Sequence, residues 1–210
     1  MPRSSRTRTK RAKLDYEIEL GVVIGTRCRH VAVEDARSVI AGYLVVNDVS
    51  VRDWLQKRSP TFTLGKSFDT HGPIGPWLTT DDEIHDPLAL GMRLTVNGEE
   101  RQRFRTDDMI YDIYEQIAYL TQVMTLMPGD ILATGTPAGI GAPTGRFLKA
   151  GDAVRAEIAA SPSQEALSRL GRIDERTLVV GLSAGRPHPL VVRAMKIARH
   201  RRANTLAIVE

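Results

Sequence analysis

The stretch D-Y-E-I-E-L-G-V-V-I-G, residues 15–25, decides the fold. From Tyr16 onward Glu17, Glu19 and Gly21 alternate with Ile18, Leu20 and Val22, a two-residue period that predicts a β-strand with one apolar face. Residues two apart share a face, so Glu17 and Glu19 present carboxylates about 7 Å apart at the backbone level. Their side chains are long enough to converge on one ion. Two unpaired carboxylates on one face repel each other, and a hard divalent cation relieves that repulsion while leaving room for water and substrate. Mg²⁺ is favoured over Ca²⁺, with Mn²⁺ a further candidate. Strands of the E-x-E type also occur with both acids facing water, and the pair alone does not choose between the two readings.

Working outward, residues 33–41 place Glu34 and Asp35 ahead of Val39 and Ile40, which predicts a short helix with acids in its first turn and Gly42 at its end. Residues 43–46 form an apolar run that hands Asn47 and Asp48 to the end of a strand. Residues 58–80 are rich in Gly, Pro, Ser and Thr and predict loops with short extended pieces. Residues 92–96 and 101–104 flank Asn97-Gly98, a pair suited to the left-handed positions of a type I′ turn, so a hairpin is expected. Ile113, Ile117, Leu120 and Met124 recur at three- and four-residue spacings, predicting an amphipathic helix over 112–124 that ends before Pro128. Strands are expected over 131–134 and 154–158.

The segments A-G-Y-L-V-V-N-D-V-S-V-R-D (41–53), L-G-K-S-F-D-T (64–70) and T-G-T-P-A-G-I-G (134–141), taken with 15–25, closely resemble the fumarylacetoacetate hydrolase family in order and spacing. G-P-I-G-P-W (72–77), V-N-G-E-E-R-Q (96–102) and M-T-L-M-P-G-D (124–130) extend the resemblance. Within the family the chain is similar to bacterial acylpyruvate hydrolases and 2-hydroxyhepta-2,4-diene-1,7-dioate isomerase-like proteins. The resemblance implies an α+β, mainly β fold of the mixed β-sandwich roll type, and a homodimer. It implies Glu17, Glu19 and Asp48 as metal ligands, Lys66 as the catalytic lysine, and Arg52, Lys66 and Thr136 as substrate contacts. Arg52 could instead pair with Asp53 or Asp69, and Lys66 could be an ordinary surface lysine. Substrates would be 2-oxo or dioxo acids of the acylpyruvate type. They would react through a metal-chelated enolate in carbon–carbon bond hydrolysis, isomerisation or decarboxylation.

Three departures qualify that reading. Leu55 stands where a glutamine usually follows the arginine by three residues, with Gln56 next. A His and Glu pair that activates water usually lies on a helix upstream of the E-x-E strand, and the chain starts after that point, so reduced or absent hydrolysis is an expectation. After Ile158 no glycine-rich closing strand is evident. Among the histidines, His71 follows the lysine segment, but a loop or surface position is favoured and no general base is assigned. A non-catalytic family member that binds metal and ligand is the alternative.

At 210 residues the chain suits one domain with some excess, and 42% hydrophobic with 26% charged residues fits a globular protein and not a disordered one. Residues 1–13 are expected to be a basic disordered leader, 14–160 the catalytic domain and 161–210 a divergent extension. That extension would start with a helix over 161–171, capped by Ser161, and continue as strand, basic helix and strand over 177–209. The single cysteine, Cys28, excludes an internal disulfide framework and points to a reducing, cytoplasmic setting. No apolar run is long enough for a membrane span or a signal peptide, so no membrane role is expected. The formal charge of +4 gathers at the two ends. Basic ends can hold phosphate backbones non-specifically, but no nucleic-acid-reading motif accompanies them and a solvated role is favoured.

Overall fold

Strands form where the two-residue period is clear, and also in apolar or Gly- and Pro-containing stretches where it is not. In chain order they are β1 (Leu14–Asp15), β2 (Ile18–Ile24), β3 (Ile40–Asn47), β4 (Ser50–Val51) and β5 (Ile74–Thr80). β6 (Leu90–Val96), β7 (Glu99–Arg105), β8 (Ile131–Ala133), β9 (Val154–Ala160), β10 (Val179–Ser183) and β11 (Thr205–Val209) follow. The α-helices are α1 (Arg52–Lys57), α2 (Thr63–Lys66) and α3 (Ile113–Val123). The structure is a computed structural model that describes residues 12–57, 61–160, 179–183 and 205–209. Residues 1–11 of the leader expected over 1–13, the helix expected over 161–171 and the basic helix expected between the two last strands lie outside the described residues.

The architecture is mainly β. One antiparallel sheet has the order β5-β3-β2-β8, and a second has the order β11-β10-β9-β6-β7, antiparallel except for the parallel pair β10 and β11. β1 and β4 form a two-stranded ribbon. Apolar side chains of both sheets and of α3 merge into one core that includes Ile18, Leu20, Val22, Tyr43, Met92, Leu94, Ile113, Ile117 and Ala156. β2 is buried on both faces, because the side opposite this core is covered as well: a Cβ on Gly21 would lie 2.3 Å from Leu44 Cδ1.

The hairpin forms as expected, with Asn97 at φ 53° and Gly98 at φ 85°, the two left-handed positions of a type I′ turn. α3 also forms as expected, with Asp112 capping it by accepting from the N–H groups of Tyr114 (2.8 Å) and Glu115 (2.9 Å). Its buried stripe differs from the apolar spacing. Ile113, Ile117, Ala118 and Thr121 face inward, whereas Met124 terminates the helix and is 47% exposed. Thr121 escapes an apolar count because its hydroxyl is satisfied in place, donating to Ala118 O (3.0 Å) and accepting from Val31 N–H (3.1 Å).

Two expectations are corrected. The helical segment at Val33–Val39 is a 3-10 helix, and Gly42 does not end it; β3 starts at Ile40 and Gly42 lies within the strand. There the backbone of β5 approaches so closely that a Cβ on Gly42 would sit 2.2 Å from Thr79 O. The stretch 58–80 is also more regular than its composition suggests, containing α2 and the seven-residue strand β5. β5 is an edge strand, where Pro76 can be accommodated without its missing N–H breaking an interior ladder.

The close approach at Gly42 is open to a direct test. Gly42→Ala is expected to lower the unfolding free energy by about 1–3 kcal/mol through overpacking, read from the midpoint of a urea titration with an unchanged slope. An unshifted midpoint would contradict the packing of β5 against β3.

Candidate metal centre

The register of β2 against β3 builds the site. Ile18 pairs with Asn47, so the residue before β2 and the residue after β3 meet at one end of the sheet. Asn47 Oδ1 accepts from Glu17 N–H (3.0 Å), and Asp48 N–H donates to Glu17 O (2.8 Å). Carboxylate oxygens of Glu17, Glu19 and Asp48 lie within 4.8 Å of one another. Glu17 and Glu19 are buried, Glu19 to 3% exposure, while Asp48 is half-buried. The three predicted ligands are therefore brought together.

Electrostatics at this point favour a cation. Burial pushes the Glu19 carboxyl up to about 7; the Gly135 N–H, donating to Glu19 Oε2 at 2.8 Å, works against this, and the charges of Asp48 and Glu17 reinforce it. Lys66, at the end of α2, donates through Nζ to Glu17 Oε2 (2.9 Å) and to Asp48. Burial by itself would depress this ammonium, but the hydrogen bonds to Asp48 and Glu17 outweigh it and hold the pKa above the ordinary lysine value. Lys66 is thus tied to two of the three carboxylates.

Arg52 opens α1 beside the site, but its partners are neither Asp53 nor Asp69. Its Nε donates to Asp15 Oδ2 (2.8 Å) and its Nη2 to Glu17. Asp53 is engaged elsewhere, accepting from Lys13 N–H (3.0 Å). Asp15 is fully buried and takes further hydrogen bonds from the N–H groups of Gly141 (2.6 Å) and Ala142 (2.9 Å). This anchor was missed in the sequence, although D-Y-E-I-E places Asp15 in the same alternation as Glu17 and Glu19. Leu55, the departure from the family pattern, packs on α2, where a Cβ on Gly65 would lie 2.2 Å from Leu55 Cδ2.

Thr136 reaches the site through the T-G-T-P loop. Its hydroxyl donates to Ile18 O (2.9 Å) and accepts from Gln102 Nε2 (2.9 Å), so it grips the peptide between the two glutamates. Gly135 beside it has φ 99° and open space where a Cβ would stand. His71 lies in the loop between α2 and β5, its ring 4.9 Å from that of Phe68. Burial lowers its pKa, while the charge of Asp48 and a hydrogen bond to the Val49 backbone oppose that shift. The loop position expected for His71 is correct, and it also brings the imidazole within the field of the acidic cluster.

The set fits a hard divalent ion. Its donors are all carboxylate oxygens, they converge on one point, and the Lys66 ammonium is already drawn against two of them. Glu17, Glu19 and Asp48 would hold the ion, with substrate or water oxygens completing its shell.

Comparison with known proteins identifies relatives of the chain. The fumarylacetoacetate (FAA) hydrolase C-terminal profile matches residues 1–176. A Burkholderia multivorans protein that carries a provisional hydrolase name is 47% identical over 163 residues, 76% of this chain and 58% of its own length. The 2-hydroxyhepta-2,4-diene-1,7-dioate isomerase of Mycobacterium marinum superposes with a TM-score of 0.65 at 40% identity, covering 70% of this chain and 56% of that one. Maleylpyruvate hydrolase of a Sphingobium species, solved with manganese(II) and pyruvate, superposes with a TM-score of 0.62 at 41% identity over 70% of this chain and 51% of that one. The chain thus spans little more than half the length of these relatives. On the profile match, the identities and the shared scaffold, the chain belongs to the fumarylacetoacetate hydrolase family.

Proposed function

We propose that the protein is a cytoplasmic, divalent-metal-dependent enzyme acting on 2-oxo or dioxo acids of the acylpyruvate type, by carbon–carbon bond hydrolysis, isomerisation or decarboxylation. Mg²⁺ is the proposed resident ion, with Mn²⁺ or Ca²⁺ able to replace it. The proposal includes a homodimer and closure of the two sheets into the family's β-sandwich roll. The observation that carries it is the convergence of Glu17, Glu19 and Asp48 within 4.8 Å beside Lys66 and Arg52. The Sphingobium enzyme's complex with manganese(II) and pyruvate supports both the ion class and a 2-oxo acid as ligand.

When bound, the ion would act as a Lewis acid toward negative charge developing on the 2-oxo oxygen. The chain's own residues do the rest. Lys66 Nζ, beside Glu17 and Asp48, is placed to donate to a substrate oxygen whose charge grows during bond cleavage. Arg52, held by Asp15 and Glu17, sets a fixed positive charge next to the ligands for a substrate carboxylate. Thr136 presents its loop, and the open left-handed Gly135 lets a ligand approach the backbone there. All three reactions share charge development on the 2-oxo oxygen. Hydrolysis needs in addition a general base to activate water, so product analysis separates them.

Calorimetric titration with Mg²⁺ or Mn²⁺, with and without oxalate, is expected to show binding by the wild type that is lost in a folded Glu17→Ala/Glu19→Ala variant. No binding by the wild type would overturn the proposal. Assayed on acylpyruvates, oxaloacetate and hydroxymuconate-type dienes, Lys66→Ala is expected to lower kcat by about 10²-fold or more while Mn²⁺ still binds. Metal binding with no turnover of any of these compounds by the wild type would leave a non-catalytic metal-binding member of the family.

The raised Glu19 carboxyl, at about 7, sets a pH dependence. The ion needs the carboxylate, so Mn²⁺ affinity is expected to rise about tenfold between pH 6 and pH 8, and binding at pH 6 to release about one proton. Without metal the folded state binds the extra proton between the ordinary glutamate value and about 7, so stability falls as pH rises through that window. Titrations in buffers of differing ionisation enthalpy check the proton release; a pH-independent affinity would contradict it.

A further inference from the structure

β8 pairs with β2 only from Gly21 to Val23, so the N-terminal half of β2, which carries Glu19 and leads from Glu17, has no strand neighbour on that edge among the described residues. The backbone ladder reaches one step further, with Thr134 N–H donating to Leu20 O (3.2 Å), and side chains continue it from there. Thr134 Oγ1 donates to Leu20 O (2.8 Å), Thr136 Oγ1 donates to Ile18 O (2.9 Å), and Gln102 Oε1 accepts from Ile18 N–H (3.1 Å). Gln102 Nε2 donates to Thr136 Oγ1 (2.9 Å) and to Pro137 O (3.0 Å). The carboxamide is 1% exposed and uses both of its ends.

From this closed ring we propose that Gln102 is a positioning residue of the metal centre, acting on the ligands through Ile18 and the T-G-T-P loop. Ile18 is the residue between Glu17 and Glu19, and holding both its N–H and its C=O fixes the tilt of the peptides from which the two glutamate side chains project. Through Thr136 and Pro137 the same carboxamide seats the loop whose Gly135 N–H orients Glu19 Oε2. The loop is also pressed on β7 beside Gln102: a Cβ on Gly139 would lie 2.0 Å from Arg101 O and 3.1 Å from Gln102 Cγ. Truncating the amide would leave the buried Ile18 N–H unpaired and free the loop. Hydrogen-bonded groups behind metal ligands commonly change metal affinity by 10–100-fold when lost.

The inference rests on the metal site proposed above, and its test separates the two. Mn²⁺ affinity and the Mn²⁺ electron paramagnetic resonance spectrum are measured for the wild type, Gln102→Leu and Gln102→Glu, with folding checked by circular dichroism and urea titration. Gln102→Glu keeps an acceptor for Ile18 N–H but, when ionised, cannot donate to Thr136 or Pro137, so it remains informative should Gln102→Leu not fold. Folded variants are expected to bind Mn²⁺ about 10–100-fold more weakly and with an altered spectrum. Folded variants with wild-type affinity and spectrum would overturn the positioning role and leave the metal site standing. A wild type that binds no Mn²⁺ would overturn both.

Discussion

Mutual repulsion among three carboxylates is the constraint on which the rest of the structure depends. With oxygens of Glu17, Glu19 and Asp48 inside 4.8 Å, each like-charged pair costs about 3 kcal/mol or more at an effective dielectric constant of about 20. Nothing in the hydrophobic core requires that arrangement. It is tolerated because Lys66 and Arg52 are placed against it and Gly135 donates to Glu19, yet Glu19 still resists ionisation up to about 7. A buried acidic cluster that its own neighbours only partly neutralise is suited to a divalent ion.

The fold supplies the geometry through register more than through bulk packing. Pairing of Ile18 with Asn47 forces Glu17 and Asp48 side by side, and their backbones then bond directly. Beyond the short partner β8, the edge of β2 is closed by Thr134, Thr136 and Gln102. Asp15 draws in the chain further along, at Gly141 and Ala142, and holds Arg52 on the other side. The ligand strand is therefore held along its length by segments widely separated in sequence.

Features governed by local rules were legible in the sequence. The E-x-E alternation, the Asn97-Gly98 turn and the helix ending before Pro128 each follow from a few adjacent residues, and the motif resemblance singled out Glu17, Glu19 and Asp48, which the fold brings within 4.8 Å of one another. Features governed by distant partners were not. Arg52 chose Asp15 and Glu17 over the nearby Asp53, because burial favours the acid that the fold presents and not the one closest in sequence. Gly42 reads as a helix stop but serves the close approach of β5, and β5 itself hides in a Gly- and Pro-rich stretch because an edge strand tolerates both. Gln102 lay in plain view within V-N-G-E-E-R-Q, yet nothing in that segment indicates that its amide reaches Ile18.

Diffraction from Mn²⁺-soaked crystals, recorded on both sides of the manganese absorption edge, bears most directly on the central claim. A single strong anomalous peak bonded to one carboxylate oxygen each from Glu17, Glu19 and Asp48, with Lys66 moved off at least one of them, is the required result. Ions bound only elsewhere on the surface, with Lys66 Nζ still bridging Glu17 and Asp48, would contradict it.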